Sequence, residues 1–453
     1  MAFTPQAYST FSFDELIWNC DTFHAEFHYS LSGEGVETKR FVEKLQFTAS
    51  VTGRIDRERF DSLLVLLGAV AGLSYFKAAN PPRIELKVPG FTQAGLDYFR
   101  VVLREGMAEY AYRNDLGGPL DPEIVVTEPL ATPWAEDTWR DVEGDPLVPI
   151  GGGKDSVVSV EALHRVRLHP IQFAVNPNPI IERVARVSGH ALISAKRTID
   201  PRLLEINQDG ALNGHVPVTA INSLITLAQS RILDAGPVVM SNEHSASEPT
   251  LISGDWSINH QWSKSLEAEL ALQEVIGPQA GLTSEHHFSL LRPFSELRIA
   301  GVYAMFPRYH QVATSCNRAF RLNAGDQSWC GECDKCRFVY LVLSNYLAPH
   351  QLDAIFGREL LNEEGQIPGF EALLGLDHHK PFECVGTEAE SMVALSQTAR
   401  KPAWASQSVV AHFISLVPTL TDSHSDLERE VYGVHEAPAA LPEAYKSARS
   451  IFG

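Results

Sequence analysis

Two periodicities of hydrophobic residues divide the first part of the chain into strands and helices. Apolar and polar residues alternate, as in half-buried strands, over residues 23–31, 41–51 and 83–88. At residues 57–73 and 93–112 the apolar positions recur at helical spacing, which predicts two amphipathic helices. We therefore expect an α+β module at the N-terminus.

From residue 147 onward, short apolar segments alternate with helical patterns. The predicted strands are residues 147–150, 171–176, 191–195 and 237–240. One helical pattern begins near Asp155, and a second covers residues 219–233. This alternation predicts an α/β fold with a doubly wound parallel sheet, in which ligands bind at the carboxyl ends of the strands.

A stretch rich in proline and acidic residues separates the two patterns, and we interpret it as a linker or an extended wrap. After residue 349 the pattern is mostly helical. The predicted organisation is an N-terminal α+β module (1–113), a linker (114–146), an α/β domain with a cysteine cluster (147–349) and a helical C-terminal region (350–453).

A glycine-rich loop follows the strand predicted at residues 147–150. It consists of Gly151, Gly152, Gly153, Lys154, Asp155 and Ser156. Glycines let backbone N–H groups approach an anion, and the N-terminus of the following helix favours negative charge. Lys154 adds a mobile cation and Ser156 a hydroxyl donor. The spacing differs from the P-loop and from the Rossmann turn, so the loop predicts a different phosphate site. The alternative is a tight turn between strand and helix.

Four of the six cysteines are close together in sequence. Cys330, Cys333 and Cys336 are separated by two residues each, and Cys316 lies upstream. Four thiolates at such spacing predict a closed, structural zinc site. Incidental buried cysteines, a redox or sulfur-carrying pair and an iron–sulfur cluster are the alternatives.

Length and charge narrow the classes of partner. The 453 residues suffice for two or three domains, and the formal net charge of −19 argues against a nucleic-acid surface. The first twenty residues lack the pattern of a signal peptide, and the apolar run at 63–73 is too short to span a bilayer. We expect a cytoplasmic protein that acts on a small molecule, without nucleic acid or membrane.

The glycine loop resembles that of the N-type ATP pyrophosphatases, the adenine-nucleotide alpha-hydrolase superfamily, whose signature is Ser-Gly-Gly-x-Asp-Ser. Gly151 stands here in place of the first serine. The resemblance implies a HUP-like doubly wound sheet. It also implies cleavage of ATP between its α and β phosphates, with transfer of AMP to a substrate oxygen. The cysteine block is similar to the zinc site of the 7-cyano-7-deazaguanine synthase branch.

Three dense polar blocks, at residues 241–246, 259–265 and 291–298, extend the resemblance. Together with the loop, the cysteines and the N-terminal module, they make the chain similar to the UDP-N-acetylmuramoyl-L-alanyl-L-glutamate epimerase family. This implies ATP-dependent epimerisation of the terminal L-glutamate of UDP-MurNAc-L-Ala-L-Glu for peptidoglycan synthesis. Such a reaction would proceed through an acyl adenylate and release AMP and pyrophosphate.

The same resemblance suggests roles for single residues. The loop would bind the ATP phosphates with Mg²⁺ bridging their oxygens, and Asp155 would either meet the metal or cap the helix. Asn176, at the end of the second strand, would lie near the nucleotide. Candidates for steadying the adenylate or the substrate carboxylates, or alternatively ion-paired surface cations, are Lys264, Arg292 and Arg298. Candidates for proton transfer across Cα, or alternatively satisfied or solvated side chains, are Glu243, His244 and His260.

Other functions share some of these features. An amidating or nitrile-forming ligase of the deazaguanine type would keep the adenylation but leave the first 145 residues unexplained. The acidic charge counts against tRNA thiolation. The third alternative is a non-catalytic, ATP-binding regulatory module.

Overall fold

The computed structural model describes residues 3–50, 55–135, 144–320, 328–376, 381–417, 419–422, 424–435, 437 and 441–453. The strands within these ranges are β1 (Thr10–Asn19), β2 (His24–Ser32), β3 (Lys39–Gln46), β4 (Arg83–Leu86), β5 (Glu123–Val126), β6 (Leu147–Pro149), β7 (Ile171–Val175), β8 (Leu192–Thr198), β9 (Val238–Met240), β10 (Leu251–Ser253), β11 (Trp256–Ile258) and β12 (His287–Ser289).

Helices of α type connect and cover these strands. They are α1 (Arg57–Phe76), α2 (Gln93–Gly106), α3 (Ala108–Arg113), α4 (Lys154–Arg165), α5 (Pro179–Ser188), α6 (Pro201–Gln208), α7 (Val218–Leu233), α8 (Leu266–Ala280), α9 (Glu296–Ala304), α10 (Asp334–Leu343), α11 (Pro349–Phe356), α12 (Ile367–Leu373), α13 (Glu388–Ala399), α14 (Pro402–Ala405), α15 (Ser408–Leu416), α16 (Ser425–Val431) and α17 (Glu443–Lys446).

A ten-stranded sheet joins the N-terminal strands to those that follow residue 147. Its order is β12-β9-β6-β7-β8-β3-β2-β1-β4-β5. The strands from β12 to β8 are parallel, as are β1, β4 and β5. Strand β3 pairs antiparallel with β8 and with β2, which in turn pairs antiparallel with β1. The fold is mixed α/β with a large, mostly parallel sheet.

The order of the parallel strands creates a switch point beside β6. The chain proceeds outward from β6 to β7 and β8, and then returns to the other side of β6 to form β9 and β12. At such a point the two following connections diverge and leave a crevice at the carboxyl ends of the strands. The glycine loop follows β6 directly. The topology therefore brings the loop to the edge where ligands bind in sheets of this kind.

Helix α1 forms the core of the N-terminal region and is buried nearly all round, so it is not the amphipathic helix that the periodicity predicts. Asp56 caps its N-terminus by accepting from the Arg59 amide. Gly68 lets the ring of Phe13 approach, since a Cβ there would lie 2.4 Å from that ring. The helix is long and apolar enough for a membrane span, but 89% of the apolar window is buried inside the fold, as in a core helix.

Most predicted elements are confirmed, with differences at the boundaries. The helix predicted over 93–112 breaks at Met107 into α2 and α3. The proline-rich segment contains β5, which adds to the sheet edge beside β4, while residues 136–143 of that segment lie outside the described residues. Strands β1, β10, β11 and β12 were not predicted, because β1 mixes polar and apolar positions and the other three are only three residues long.

The described part of the C-terminal region is helical, as predicted. Helix α13 packs on α9 and α10, and Trp404 and Phe370 belong to the same buried hydrophobic core as these helices. The first turn of α13 also reaches α9, because the Glu390 carboxylate accepts from the Glu296 amide at 2.6 Å. This region therefore packs directly behind the crevice beside β6.

Candidate active site

A cavity of about 390 Å³ opens at the switch point of the sheet. Its walls come from the glycine loop, the ends of β7 and β9, the first turns of α7, residues 314–320, and single side chains from more distant segments. The side chains that the later argument uses are Asp155, Ser156, Glu243, Lys264, Lys335 and Cys384. This volume is within the range of about 300–1,000 Å³ that small-molecule sites occupy.

The glycine loop has a backbone that only glycine adopts easily at one position. Gly152 has φ +80°, and its carbonyl accepts from the Thr314 amide at 3.0 Å. A Cβ on Gly153 would lie 2.6 Å from the Ser315 hydroxyl, whereas a Cβ on Gly151 would meet nothing within 4 Å. The segment before Cys316 therefore closes on the loop, and only Gly151 faces open space. The position that resembles the missing serine thus has room for a side chain.

Lys154 is not the mobile cation that the sequence suggested. Its side chain is 2% exposed and forms ion pairs with Asp155 and Glu296. Lys335 approaches the other oxygen of Glu296 at 3.2 Å. Burial lowers the pKa of Lys154. Burial alone would raise the pKa of Asp155, but Lys154 and Lys335 hold that pKa below its ordinary value.

Two lysines and two carboxylates thus form a buried charged cluster under the loop. Asp155 also lines the cavity, and it is not the helix cap, because Gly153 occupies the N-cap position of α4. Ser156 lines the cavity as well, and its hydroxyl donates to the Gly153 carbonyl at 3.1 Å. A carboxylate and a hydroxyl in the first turn of a helix are suitable ligands for an Mg²⁺ ion beside a bound phosphate.

The four cysteines predicted as metal ligands come together. Cys333 Sγ lies 4.0 Å from Cys316 Sγ and 3.4 Å from Cys336 Sγ, and Cys330 Sγ lies 3.7 Å from Cys336 Sγ. All four sulfur atoms lie within 4.8 Å of one another. A tetrahedral zinc ion with bonds of about 2.3 Å separates its sulfur ligands by about 3.8 Å. The donor set therefore fits a zinc ion held by thiolates.

The cysteine cluster also fixes part of the cavity wall. Lys335 lies between Cys333 and Cys336 at the start of α10, and its side chain is 5% exposed. The fold that gathers the thiols thereby directs a buried ammonium group towards the glycine loop. Lys335 was not predicted as a site residue, because the cysteines around it offered a sufficient explanation of the motif.

A second polar cluster comprises Cys384 and Lys264, which line the cavity, together with His260 and Glu109 beside them. Lys264 Nζ donates to Cys384 Sγ at 3.2 Å. The His260 ring bonds to the Glu109 carboxylate through Nδ1 and interacts electrostatically with Cys384. The ring of His215 packs 4.7 Å from that of His260. These groups come from four separated segments of the chain.

The charges in this second cluster support one another. Burial would raise the pKa of Cys384, but Lys264 and His260 bring that pKa to about 6. Burial would lower the pKa of His260, whereas Cys384 and Glu109 raise it to about 9. Cys384 raises the pKa of Lys264 as well. At neutral pH the arrangement is a thiolate between an ammonium and an imidazolium.

Glu243 lines the cavity, as the sequence analysis anticipated, and its carboxylate is close enough to act electrostatically on Lys154 and Lys264. His244, the next residue, turns away. Its ring stacks on His435 at a centroid distance of 3.6 Å and lines a different cavity beside Glu390. Burial and then the charge of His435 lower the pKa of His244 to about 4.

Two arginines and an asparagine predicted for the site do not line the cavity. Arg292 is fully buried, pairs with Glu269 at 2.7 Å and donates to the carbonyls of Glu243 and Lys264. It thus braces the backbone of two cavity residues. Asn176 has φ +50° and bridges to the backbone of Arg197 through both side-chain atoms.

Arg298 lies on the far side of α9. Its guanidinium donates to the carbonyls of Tyr432 and Phe452 and stacks over Phe294 at 5.0 Å. These contacts tie the end of the chain to the α/β core. The sequence does not distinguish Arg298 from the other basic residue of its polar block, because the direction of the Arg298 side chain depends on how the C-terminal region packs.

Comparisons with known proteins match most of the chain to one family. The profile of the MurL N-terminal domain matches residues 2–290, and that of the MurL C-terminal domain matches residues 312–428. A UDP-N-acetyl-alpha-D-muramoyl-L-alanyl-L-glutamate epimerase of a Micromonospora species is 46% identical over 413 residues, 90% of this chain and 91% of the relative.

Two further relatives have the same name. The protein of Salinispora tropica is 45% identical over 417 residues, which cover 90% of this chain and 89% of the relative. That of Xanthomonas oryzae pv. oryzae is 37% identical over 394 residues, 85% of each chain. No solved structure matches this chain.

Proposed function

Because this chain belongs to the MurL family, we propose that it inverts the terminal L-glutamate of UDP-MurNAc-L-Ala-L-Glu to D-glutamate and consumes ATP in doing so. The relatives that carry the epimerase name cover nine tenths of the chain. The single observation that supports a role for ATP is the cavity at the switch point, which is lined by the glycine loop and by Lys264 and Lys335 from two other segments.

The chemistry explains why an epimerase would need a nucleotide. Inversion of a stereocentre has almost no driving force, so the obstacle is kinetic. Removing the proton beside an ionised carboxylate would create a dianion, which is too unstable to form at a useful rate. Transfer of AMP to the carboxylate removes that charge, and the enolate of the resulting acyl adenylate is far more accessible. Hydrolysis of the adenylate then makes the turnover effectively irreversible.

In this proposal the loop end of the cavity binds the triphosphate. Gly152 and Gly153 allow the backbone to approach phosphate, and the N-terminus of α4 favours its charge. Lys335 and Lys154, held by Glu296, would stabilise the charge that develops as pyrophosphate leaves. The chain would then share the HUP-like fold and the chemistry of the ATP pyrophosphatases, a placement that also agrees with the strand order around β6.

The proposal includes two metal ions. Asp155 and Ser156 would hold Mg²⁺, which supplies positive charge to the phosphate oxygens. The four clustered cysteines would hold a structural Zn²⁺, whose function is to keep Lys335 at the cavity wall. The metal content of the purified protein, with one zinc per chain expected, tests the second assignment. Because the proposed substrates are ATP and a nucleotide sugar, we propose that the reaction occurs in the cytoplasm.

The test combines two measurements on one incubation. The protein is mixed with ATP, Mg²⁺ and UDP-MurNAc-L-Ala-L-Glu, the product is hydrolysed, and the chirality of glutamate is measured alongside AMP. We expect D-glutamate and AMP together, and neither when ATP is replaced by its α,β-methylene analogue. AMP without inversion would instead indicate a ligase, which added ammonia would reveal. ATP binding with neither product would indicate a regulatory module.

A further inference from the structure

Cys384 reaches the cavity from a part of the chain that the proposed nucleotide chemistry does not use. It lies between α12 and α13 in the C-terminal region, yet it lines the same cavity as Asp155 and Lys264. Two hydrogen bonds fix its segment: the Glu383 carboxylate accepts from the Lys335 amide at 3.1 Å, and the Val385 carbonyl accepts from Gln261 at 3.2 Å. A thiol is thus held in place at the site.

The neighbours of this thiol are those of an activated cysteine. Lys264 Nζ lies 3.2 Å from Sγ, and the His260 ring is close enough to the thiol to lower its pKa. The Glu109 carboxylate bonds to Nδ1 of that ring, and the Thr250 hydroxyl accepts from the His260 amide at 3.2 Å. A cysteine beside a histidine that a third group orients is the arrangement in which thiols act as nucleophiles or bases.

A merely structural role explains these contacts poorly. A buried structural cysteine normally has apolar surroundings and an inert thiol. Here the thiol faces two cationic side chains and the cavity, and the low pKa described above follows from those two neighbours. Ionised thiols are suitable general bases at neutral pH, because their pKa is close to the operating pH.

We infer that Cys384 removes the Cα proton of the activated glutamate, with His260 and Glu109 as positioning residues and Lys264 as the counter-ion of its thiolate. This inference rests on the proposed epimerase function. In the step, the Cα–H bond breaks, the proton bonds to Sγ, and the electron pair enters the enolate of the acyl adenylate. A separate acid then delivers a proton to the opposite face of Cα, and Cys384 returns its proton to solvent.

The acid that delivers this proton is expected on the same cavity wall as the phosphate site. Glu243 is the residue that both the sequence pattern and the cavity lining favour for this acid. The hydrogen bond from Arg292 to the Glu243 carbonyl holds this residue in position at 2.7 Å. Cys384 and Glu243 would then need opposite protonation states, because the Cys384 thiolate accepts a proton and the Glu243 carboxylic acid donates one.

The test measures three products in the full-length protein with the Cys384→Ser substitution. We expect formation of D-glutamate to fall by at least about 100-fold, the usual loss when a general base is removed. Release of AMP should fall by much less, because adenylation and hydrolysis do not need the thiol. Incorporation of deuterium at Cα, measured by mass spectrometry in D₂O, should fall in parallel with inversion. The matched control is Cys20→Ser, at an exposed cysteine outside the cavity.

The outcomes separate this inference from the proposed function. If the wild type inverts glutamate and C384S inverts it equally fast, the role of Cys384 is overturned while the epimerase stands. If the wild type produces neither AMP nor D-glutamate, the proposed function fails and the inference fails with it. A covalent adduct of substrate on Cys384, detected by intact mass, would overturn the base in favour of a nucleophile.

A second measurement keeps the inference testable if C384S fails to fold. Alkylation of Cys384 in the wild type, followed by peptide mapping across pH, should show a midpoint near pH 6. The His260→Gln substitution should move this midpoint upward, which loss of a purely structural contact would not do. An ordinary midpoint in the wild type, near that of free cysteine, would overturn the assignment.

Discussion

The polar cluster under the glycine loop and the one around Cys384 both reach the cavity, but the chain assembles them in different ways. The cluster under the loop takes Lys154 and Asp155 from one short motif and adds Glu296 and Lys335. The cluster around Cys384 has no such motif, because Glu109, His260 and Cys384 are separated by more than a hundred residues each. A phosphate site can therefore be recognised locally, while the groups proposed to move protons depend on the whole fold.

This contrast also has an energetic side. Lys154, Glu296 and Lys335 of the loop cluster are buried, and their charges compensate one another, so loss of one partner leaves an uncompensated charge. The Cys384 cluster is only partly buried and opens towards the cavity. We expect mutations in the first to impair adenylation and folding together, and mutations in the second to impair inversion alone.

The largest expected effect follows from Lys335→Met. The substitution removes the buried ammonium group that approaches Glu296 at 3.2 Å and faces the proposed pyrophosphate site. Loss of one such group in catalysis lowers rates by about 10²–10³-fold. AMP and D-glutamate should therefore fall together by that factor, measured at saturating ATP. The control is Lys446→Met, at an exposed ion pair with Glu443. AMP release at the wild-type rate would contradict the assignment of the loop end.

The next effect concerns the conformation of the loop. Gly152→Ala places a side chain at φ +80°, and the added Cβ would lie 3.1 Å from Ile180. A left-handed backbone at a residue with a Cβ costs about 1–2 kcal/mol. AMP release should fall by about tenfold, with a lower melting temperature. The matched variant is Gly151→Ala, whose Cβ meets nothing within 4 Å, and we expect it to retain both activity and stability.

A pH profile sharpens the comparison between the two clusters. The thiol of Cys384, with a pKa of about 6, must be ionised to accept a proton, so inversion should fall about tenfold per unit as pH decreases below 6. His260, with a pKa of about 9, stabilises the thiolate only while it is protonated, so inversion should also decline above pH 9. AMP release should show a flatter profile over this range. Identical profiles for both products would indicate that adenylation limits the reaction.

The sequence predicted the elements that have local patterns. Strand β6, the glycine loop, α4 and the four cysteines follow from periodicity and spacing, because each depends on neighbours within about thirty residues. The predicted strands of the parallel sheet are also present. The pairing of β3 with β8 was not predicted, because nothing within either strand specifies a partner some 150 residues away.

The same limit applies to the candidate site. Glu243 and Lys264 line the cavity as the polar blocks suggested, but His244 turns towards His435 in the C-terminal region. Cys384 was not proposed as a site residue because a single cysteine in a helical region has no distinguishing pattern. Its role depends on Lys264 and His260, which only the tertiary structure brings to it.

The smallest effect on activity is expected at Arg298, a residue that the sequence pattern favoured for catalysis. Its guanidinium binds the carbonyls of Tyr432 and Phe452 and stacks on Phe294, without lining the cavity. Arg298→Met should lower the free energy of unfolding by about 2 kcal/mol, because hydrogen bonds from a charged donor are lost. Rates of AMP and D-glutamate formation, measured well below the melting temperature, should remain within twofold of wild type. A selective loss of inversion in a fully folded R298M variant would instead return Arg298 to the active site and show that the C-terminal region moves during turnover.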